Sequence, residues 1–165
     1  MSLLLLLALA AGCAPEVAPA LFTDARLVEE MDGYAAWESP AAWPGLEATC
    51  DGAHGSYVRI YANPKGAAAL AAGEALPDGA LLVEASFQDA AGTPKLVSAM
   101  RKVSGYAPDA GDWYWGQHDE AGALQVGGRI PACASCHAAS VGYLRHTDGP
   151  PSTDPCVDDT GFPSF

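Results

Sequence analysis

The segment SYVRIYA at residues 56–62 decides the fold, because its side chains alternate in character along the chain. Aromatic and charged residues occupy the odd positions, and Val58, Ile60 and Ala62 occupy the even ones. A period of two is that of a β-strand with two different faces. We therefore predict a strand over this segment.

A short helix is predicted directly after this strand. Asn63 is suited to cap a helix N-terminus, and Pro64 is favoured at the first helical position. Gly73 is suited to end the helix by adopting a left-handed conformation. These signals predict a helix over residues 64–72.

Three further strands are predicted, over residues 80–88, 95–103 and 112–118, with Pro/Gly-containing turns before the first two. Because strands outnumber helices and follow one another through short turns, the fold class is α+β, a mainly antiparallel β-sheet with short helices. A four-helix bundle would need long segments of 3.6-residue period, which are absent from the sequence. The length of 165 residues favours one folded domain.

The charge balance excludes one class of partner. The chain has 20 acidic and 8 basic residues, for a net charge of −12. This surplus repels nucleic-acid phosphates, so we expect no nucleic-acid binding. A solvated acidic surface explains the charge better than a specific acidic docking patch.

The N-terminus has the pattern of an export signal. Residues 3–11 are apolar, too few to span a bilayer, and small residues precede Cys13. The pattern resembles a bacterial lipobox, although Ala10 stands where Leu is more usual and no Lys or Arg precedes it. We expect a signal peptide over residues 1–12 and a lipid on Cys13; the alternative is an ordinary secreted protein.

The expected location follows from this address. Ala14, rather than Asp, follows the lipidated cysteine, which favours the outer membrane. We therefore expect a periplasmic protein held to the membrane through its N-terminal lipid. We expect a Pro/Ala-containing tether over residues 13–26 and the folded domain over residues 27–165.

The segment CASCH at residues 133–137 carries the chemistry. C-x-x-C-H is the attachment motif of a c-type haem, in which Cys133 and Cys136 form thioethers and His137 binds the iron. A thioredoxin-like redox pair would need no following His, and a zinc site would need more ligands nearby. We predict one covalently attached haem c, carried on a short C-terminal helix.

The two remaining cysteines can pair with each other. Five cysteines are odd for an exported protein, and Cys13, Cys133 and Cys136 already have uses. We predict a Cys50–Cys156 disulfide, which an oxidising compartment permits. Two free thiols are the alternative.

The sixth iron ligand decides between electron transfer and small-molecule binding. No Met follows His137, unlike the arrangement in small electron-transfer cytochromes. The candidates are Met31, Met100, His54, His118 and His146. Met100 lies in an alternating segment and is better explained as a core residue, and His146 as a surface residue.

The order of these segments resembles the cytochrome P-460 and cytochrome c′-beta family. The likeness spans about residues 30–147, and its blocks are residues 54–63, 76–83, 111–115, 133–137 and 143–147. The resemblance implies an antiparallel β fold, usually dimeric, and a high-spin haem with an open distal side. Such haems oxidise hydroxylamine or bind nitric oxide.

Two features of the hydroxylamine-oxidising members do not carry over. The lysine that is cross-linked to their haem corresponds to Glu84 here, and their distal Glu falls near Val97 and Ser98. Phe87, Trp113 and Trp115 are candidates for the aromatic caps of the c′-beta members, each better explained as core.

These departures from the family pattern determine the order in which we rank the possible functions. We expect an open or weakly occupied iron that binds nitric oxide or a related small nitrogen species, possible redox turnover, and a redox partner of unspecified identity. A six-coordinate electron carrier is the alternative, followed by a hydroxylamine-oxidising enzyme without the cross-link.

Overall fold

The architecture is a six-stranded sheet with helices on both faces, seen in a computed structural model that describes residues 22–49 and 54–138. The elements described are α1 (Asp24–Glu30), β1 (Glu47–Ala48), β2 (Tyr57–Ala62), α2 (Pro64–Ala72), β3 (Leu81–Phe87), β4 (Pro94–Lys102), β5 (Trp113–Asp119), β6 (Leu124–Gly128) and α3 (Pro131–His137). Short 3₁₀ helices span Tyr34–Ala36 and Pro108–Ala110. The predicted α+β class is confirmed.

The strands follow one another across the sheet in the order of the chain, β1 to β6, and all neighbours are antiparallel. This is the order that short turns between successive strands produce. The four predicted strands correspond to β2, β3, β4 and β5, with bounds that differ by one residue at most ends.

Helix α2 has the predicted bounds because its two ends are strongly specified. The Asn63 side chain accepts a hydrogen bond from Gly66 N at 2.9 Å, and its Nδ2 donates to the Gly79 carbonyl at 2.9 Å. Gly73 closes the helix at φ 65°, a left-handed conformation that costs glycine little. Asn63 therefore caps α2 and fixes it to the turn before β3.

One face of the sheet is covered by α1, which the sequence analysis did not predict. Phe22, Leu27 and Met31 pack there against the buried side chains of β2 to β5. The guanidinium of Arg101, on β4, bonds to Glu30 at 3.0 Å and stacks over the Phe22 ring at 4.6 Å. Helix α1 lies partly within residues 13–26, the expected tether.

The opposite face is covered by α2 and α3. Its buried residues are Ala62, Leu82, Met100, Trp113 and Trp115. Ala67 and Leu70 of α2 pack against them, as do Ile130 and Cys133 at the end where α3 begins. We call this the α3 face of the sheet. No helix in the described part of the chain is both long and apolar enough to cross a membrane.

Candidate haem-binding site

Helix α3 presents the motif residues as a group. It begins with Pro131 at its first position and ends at His137, so Cys133 lies three and four residues before Cys136 and His137. Residues at these spacings share one side of an α-helix. The two thiols and the imidazole therefore project from the same side of α3.

The two cysteines differ in their surroundings, and neither is in a disulfide. Cys133 is half-buried against the apolar residues of the α3 face, whereas Cys136 is exposed. Burial raises the pKa of the Cys133 thiol above its ordinary value, and the neighbouring Cys136 adds to this increase. The Cys133 thiol is therefore protonated at neutral pH.

The imidazole of His137 lies between two other rings. Its centroid is 4.8 Å from that of Trp115, at an interplanar angle of 64°. The centroid of the His54 ring is 6.3 Å away, at an interplanar angle of 79°. Strand β5 and the segment before β2 thus place Trp115 and His54 beside the last residue of the motif.

His54 is held by a carboxylate of β3. Its Nδ1 lies 2.6 Å from Oε1 of Glu84, and the two side chains are 25% and 22% exposed. Glu84 alternates with Leu82 along β3 and is therefore on the α3 face. The hydroxyl of Ser86, two residues further along β3, lies 3.5 Å from the same carboxylate oxygen.

The indole nitrogen of Trp115, Nε1, is a buried donor without a partner in the described part of the chain. A buried indole N–H usually finds an acceptor. The same ring contacts His137 of the motif.

The residues at this site fit a c-type haem. Two reduced thiols at C-x-x-C spacing suit thioether attachment, and the adjacent imidazole suits the iron. The large apolar surface of the α3 face is suited to an apolar macrocycle, and Trp115 Nε1 offers a donor to a polar substituent. Cys133, Cys136 and His137 would hold the group.

The candidate sixth ligands that the structure describes lie on different faces of the sheet. Met31 packs among the α1 residues, and His118 lines a cavity of about 330 Å³ with Met31 and Tyr34 on the same face. Met100 lies on the α3 face but is 8% exposed within its packed cluster. His54 contacts the site directly, and His146 lies outside the described residues.

The aromatic cap candidates separate in the same way. Phe87 packs against the α1 cluster, on the face away from the motif. Trp113 is fully buried, and the Nζ of Lys102 lies 5.0 Å from its ring centroid. The ring of Trp115 lies against His137.

The sequence model of the family described as Cytochrome P460 matches residues 32–143, which contain β1 to β6, α2, α3 and the complete motif. The chain belongs to the cytochrome P460 family. It is accordingly a haem protein, as the motif predicted. A comparison with curated proteins finds no match.

Two predicted features of this family member lie outside the described residues. They are the lipid on Cys13 and the disulfide between Cys50 and Cys156. Both stay predictions. Sequence reasoning also missed two contacts, that of Trp115 with His137 and that of His54 with Glu84. The alternation of β5 and β3 could have placed Trp115 and Glu84 on one face, but no sequence signal locates His54.

Proposed function

We propose that this protein is a periplasmic monohaem cytochrome that binds nitric oxide or a related small nitrogen species at its iron. The haem would be a single haem c, attached through Cys133 and Cys136. His137 would be the proximal ligand. The observation that carries the proposal is the position of these three side chains on one helix, beside a buried indole N–H, in a chain of the cytochrome P460 family.

The haem would supply an iron atom that a small molecule can bind. His137 would hold that iron, and its ring packs against Trp115. The apolar residues of the α3 face exclude water from one side of the site.

The chain's own acid and base groups argue against rapid hydroxylamine oxidation. Glu84 occupies the position of the cross-linking lysine and is engaged by His54. Ser98, near the position of the distal Glu, has no ionisable side chain. Proton removal from a bound substrate would have to use the His54–Glu84 pair, so ligand binding is the simpler function.

One observation favours the second candidate, a six-coordinate electron carrier. The His54 ring lies 6.3 Å from that of His137, near enough for both to serve one iron. In such a carrier the second histidine would stay bound permanently, and no substrate would reach the metal.

Visible spectroscopy separates these functions. The purified ferrous protein is expected to change its spectrum on addition of nitric oxide or carbon monoxide. A low-spin spectrum that ignores both gases would contradict the proposal and support the electron carrier. Turnover of hydroxylamine with an artificial electron acceptor would instead revive the enzymatic alternative.

The remaining parts of the proposal concern the termini. Lipid on Cys13 would place the protein on the outer membrane, facing the periplasm. The Cys50–Cys156 disulfide would tie the C-terminal tail to the segment before β2. Peptide mapping under non-reducing conditions is expected to recover the two cysteines in one cross-linked peptide, and two separate thiol peptides would refute the pairing.

A further inference from the structure

We propose that His54, oriented by Glu84, is a displaceable sixth ligand of the haem iron. In the resting protein its Nε2 would occupy the position that nitric oxide takes. This inference rests on the proposed function in one respect, the assignment of His137 as the proximal ligand.

The distance between the two imidazoles carries the inference. Metal–imidazole nitrogen bonds are about 2 Å long, so two imidazoles on one ion have ring centres about 6 Å apart. The centroids of His54 and His137 are 6.3 Å apart, at an interplanar angle of 79°. The edge-to-face contact of Trp115 with His137 is shorter, at 4.8 Å. The spacing of the two imidazoles thus matches that of two ligands on opposite sides of one iron.

Glu84 prepares His54 for this role. A carboxylate 2.6 Å from Nδ1 favours the proton on that nitrogen, which would leave the lone pair of the imidazole on Nε2. Histidines that bind metals commonly donate their second ring nitrogen to a carboxylate in this way, which fixes the tautomer and makes the ligand more basic. Glu84 is thus a positioning residue.

The other candidates in the described part of the chain cannot reach the same position. Met31 and His118 lie on the face of the sheet that α1 covers, which is opposite the α3 face. Met100 is on the α3 face, but its side chain is packed within the cluster that includes Leu82 and Trp115. The ring of His54 lies 6.3 Å from that of His137.

The position of His54 in the fold explains why it would be displaceable. It precedes β2 and is outside the strand ladders. Gly55, which follows it, has φ 94°, a conformation that glycine adopts without strain. Side chains outside regular elements open at lower free-energy cost than those within them. Ligand exchange breaks one iron–nitrogen bond and forms another, with no change in oxidation state.

The test uses the holoprotein and the ferric electron paramagnetic resonance spectrum. Wild type is expected to be low-spin, with a near-infrared magnetic circular dichroism band of two histidine ligands. His54→Ala is expected to be high-spin, and added imidazole should restore the low-spin spectrum. Met100→Leu is the matched control on the same face and should keep the wild-type spectrum.

Glu84→Gln tests the positioning role. Its amide oxygen still accepts the Nδ1 proton but makes Nε2 a weaker ligand, so a mixture of low-spin and high-spin iron is expected. Carbon monoxide should bind ferrous His54→Ala at least about tenfold more tightly than wild type, since a competing ligand reduces the apparent affinity in proportion to the fraction of iron that is left unoccupied.

Three results would overturn the inference: a high-spin wild type identical to His54→Ala, a low-spin His54→Ala, or a high-spin Met100→Leu. If His54→Ala fails to acquire haem, the wild-type spectrum alone decides whether the iron has a sixth ligand. A high-spin wild type that binds carbon monoxide refutes the sixth ligand and leaves the proposed function intact. A low-spin wild type that binds neither gas, together with a His54→Ala variant that also binds neither, refutes the proposed function.

Discussion

Glu84 of β3 and Ser98 of β4 are directly opposite one another in the antiparallel sheet. Directly opposed side chains have Cβ atoms about 5 Å apart and share one face. The resemblance places the cross-linking lysine of the hydroxylamine-oxidising members at Glu84 and their distal Glu near Val97 and Ser98. Here the carboxylate of Glu84 stands at the lysine position and pairs with His54. The carboxylate at this position is therefore engaged by an imidazole.

Trp115→Phe is expected to change the haem spectrum or reduction potential, because it removes a buried N–H that lies beside His137. Trp113→Ala removes a ring that is fully buried in the same cluster and is expected to lower stability by about 3–5 kcal/mol. Spectroelectrochemistry measures the effect of Trp115→Phe, and urea unfolding measures that of Trp113→Ala. An unchanged spectrum and potential in Trp115→Phe would show that the indole N–H does not meet the haem.

Gly116→Ala is expected to destabilise the protein by about 1–3 kcal/mol, since an added methyl group would collide with the Leu27 side chain of α1. Gly45→Ala is the matched control, because nothing lies within 4 Å of the added atom. Its unfolding free energy should stay within about 0.5 kcal/mol of wild type. Equal effects of the two substitutions in urea unfolding would mean that α1 does not pack on β5 as described.

His118 is expected to make stability fall in mildly acidic solution. Burial lowers its pKa below the ordinary value of 6.5, against the opposing effects of the Val97 carbonyl, Asp119 and Asp24. As pH falls through 6.5, the unfolded chain therefore binds a proton that the folded chain does not, and the folded state loses stability until the lowered pKa is passed.

The measurement is urea unfolding at several pH values for wild type and His118→Gln. The variant should lose less stability than wild type between neutral pH and the acidic end of that window. Parallel curves for the two proteins would refute this role, because all other titrating groups are common to both.

Cys13→Ala is expected to release the protein from the membrane fraction, since the acyl chains that hold it there would be absent. Fractionation of cells followed by immunodetection measures this. Signal cleavage in the variant should also change, because lipidation precedes it in lipoproteins. If membrane association persists, the lipid attachment is refuted.

Local signals were sufficient for the central part of the fold. Asn63, Pro64 and Gly73 specify α2 at both ends, and alternation specifies β2 and β4. The strands are predictable because turn residues bound them and their side chains alternate between the two faces of the sheet. These are properties that neighbouring residues show without knowledge of the tertiary structure.

Elements at the edges of the fold were missed for identifiable reasons. Strand β1 has only two residues, and β6 contains Gly127 and Gly128, which weaken any strand pattern. Helix α1 has seven residues after a Pro/Ala segment. Its signals were present, since Thr23 caps it through Arg26 N and Leu27 and Met31 share a side, but they were too short to outweigh the tether.

Local sequence likewise identifies some residues of the site and not others. Cys133, Cys136 and His137 are adjacent in sequence, and the motif alone identifies them. The pairing of His54 with Glu84 joins residues that are 30 positions apart, on different elements. Such a contact depends on how the segment before β2 crosses the sheet, which no local pattern specifies. Sequence analysis therefore named His54 as one candidate of five, and the fold separated it from the rest.

The central claim is that one haem is bound covalently at Cys133 and Cys136, and intact-mass spectrometry of the denatured protein tests it most directly. After expression with a cytochrome c maturation system, wild type should carry the added mass of one haem, and Cys133→Ala/Cys136→Ala should carry none. Ser135→Ala, between the two cysteines and exposed, is the matched control and should keep the haem. Wild-type protein with the mass of the unmodified chain, or with haem that acidified acetone extracts, would contradict the account.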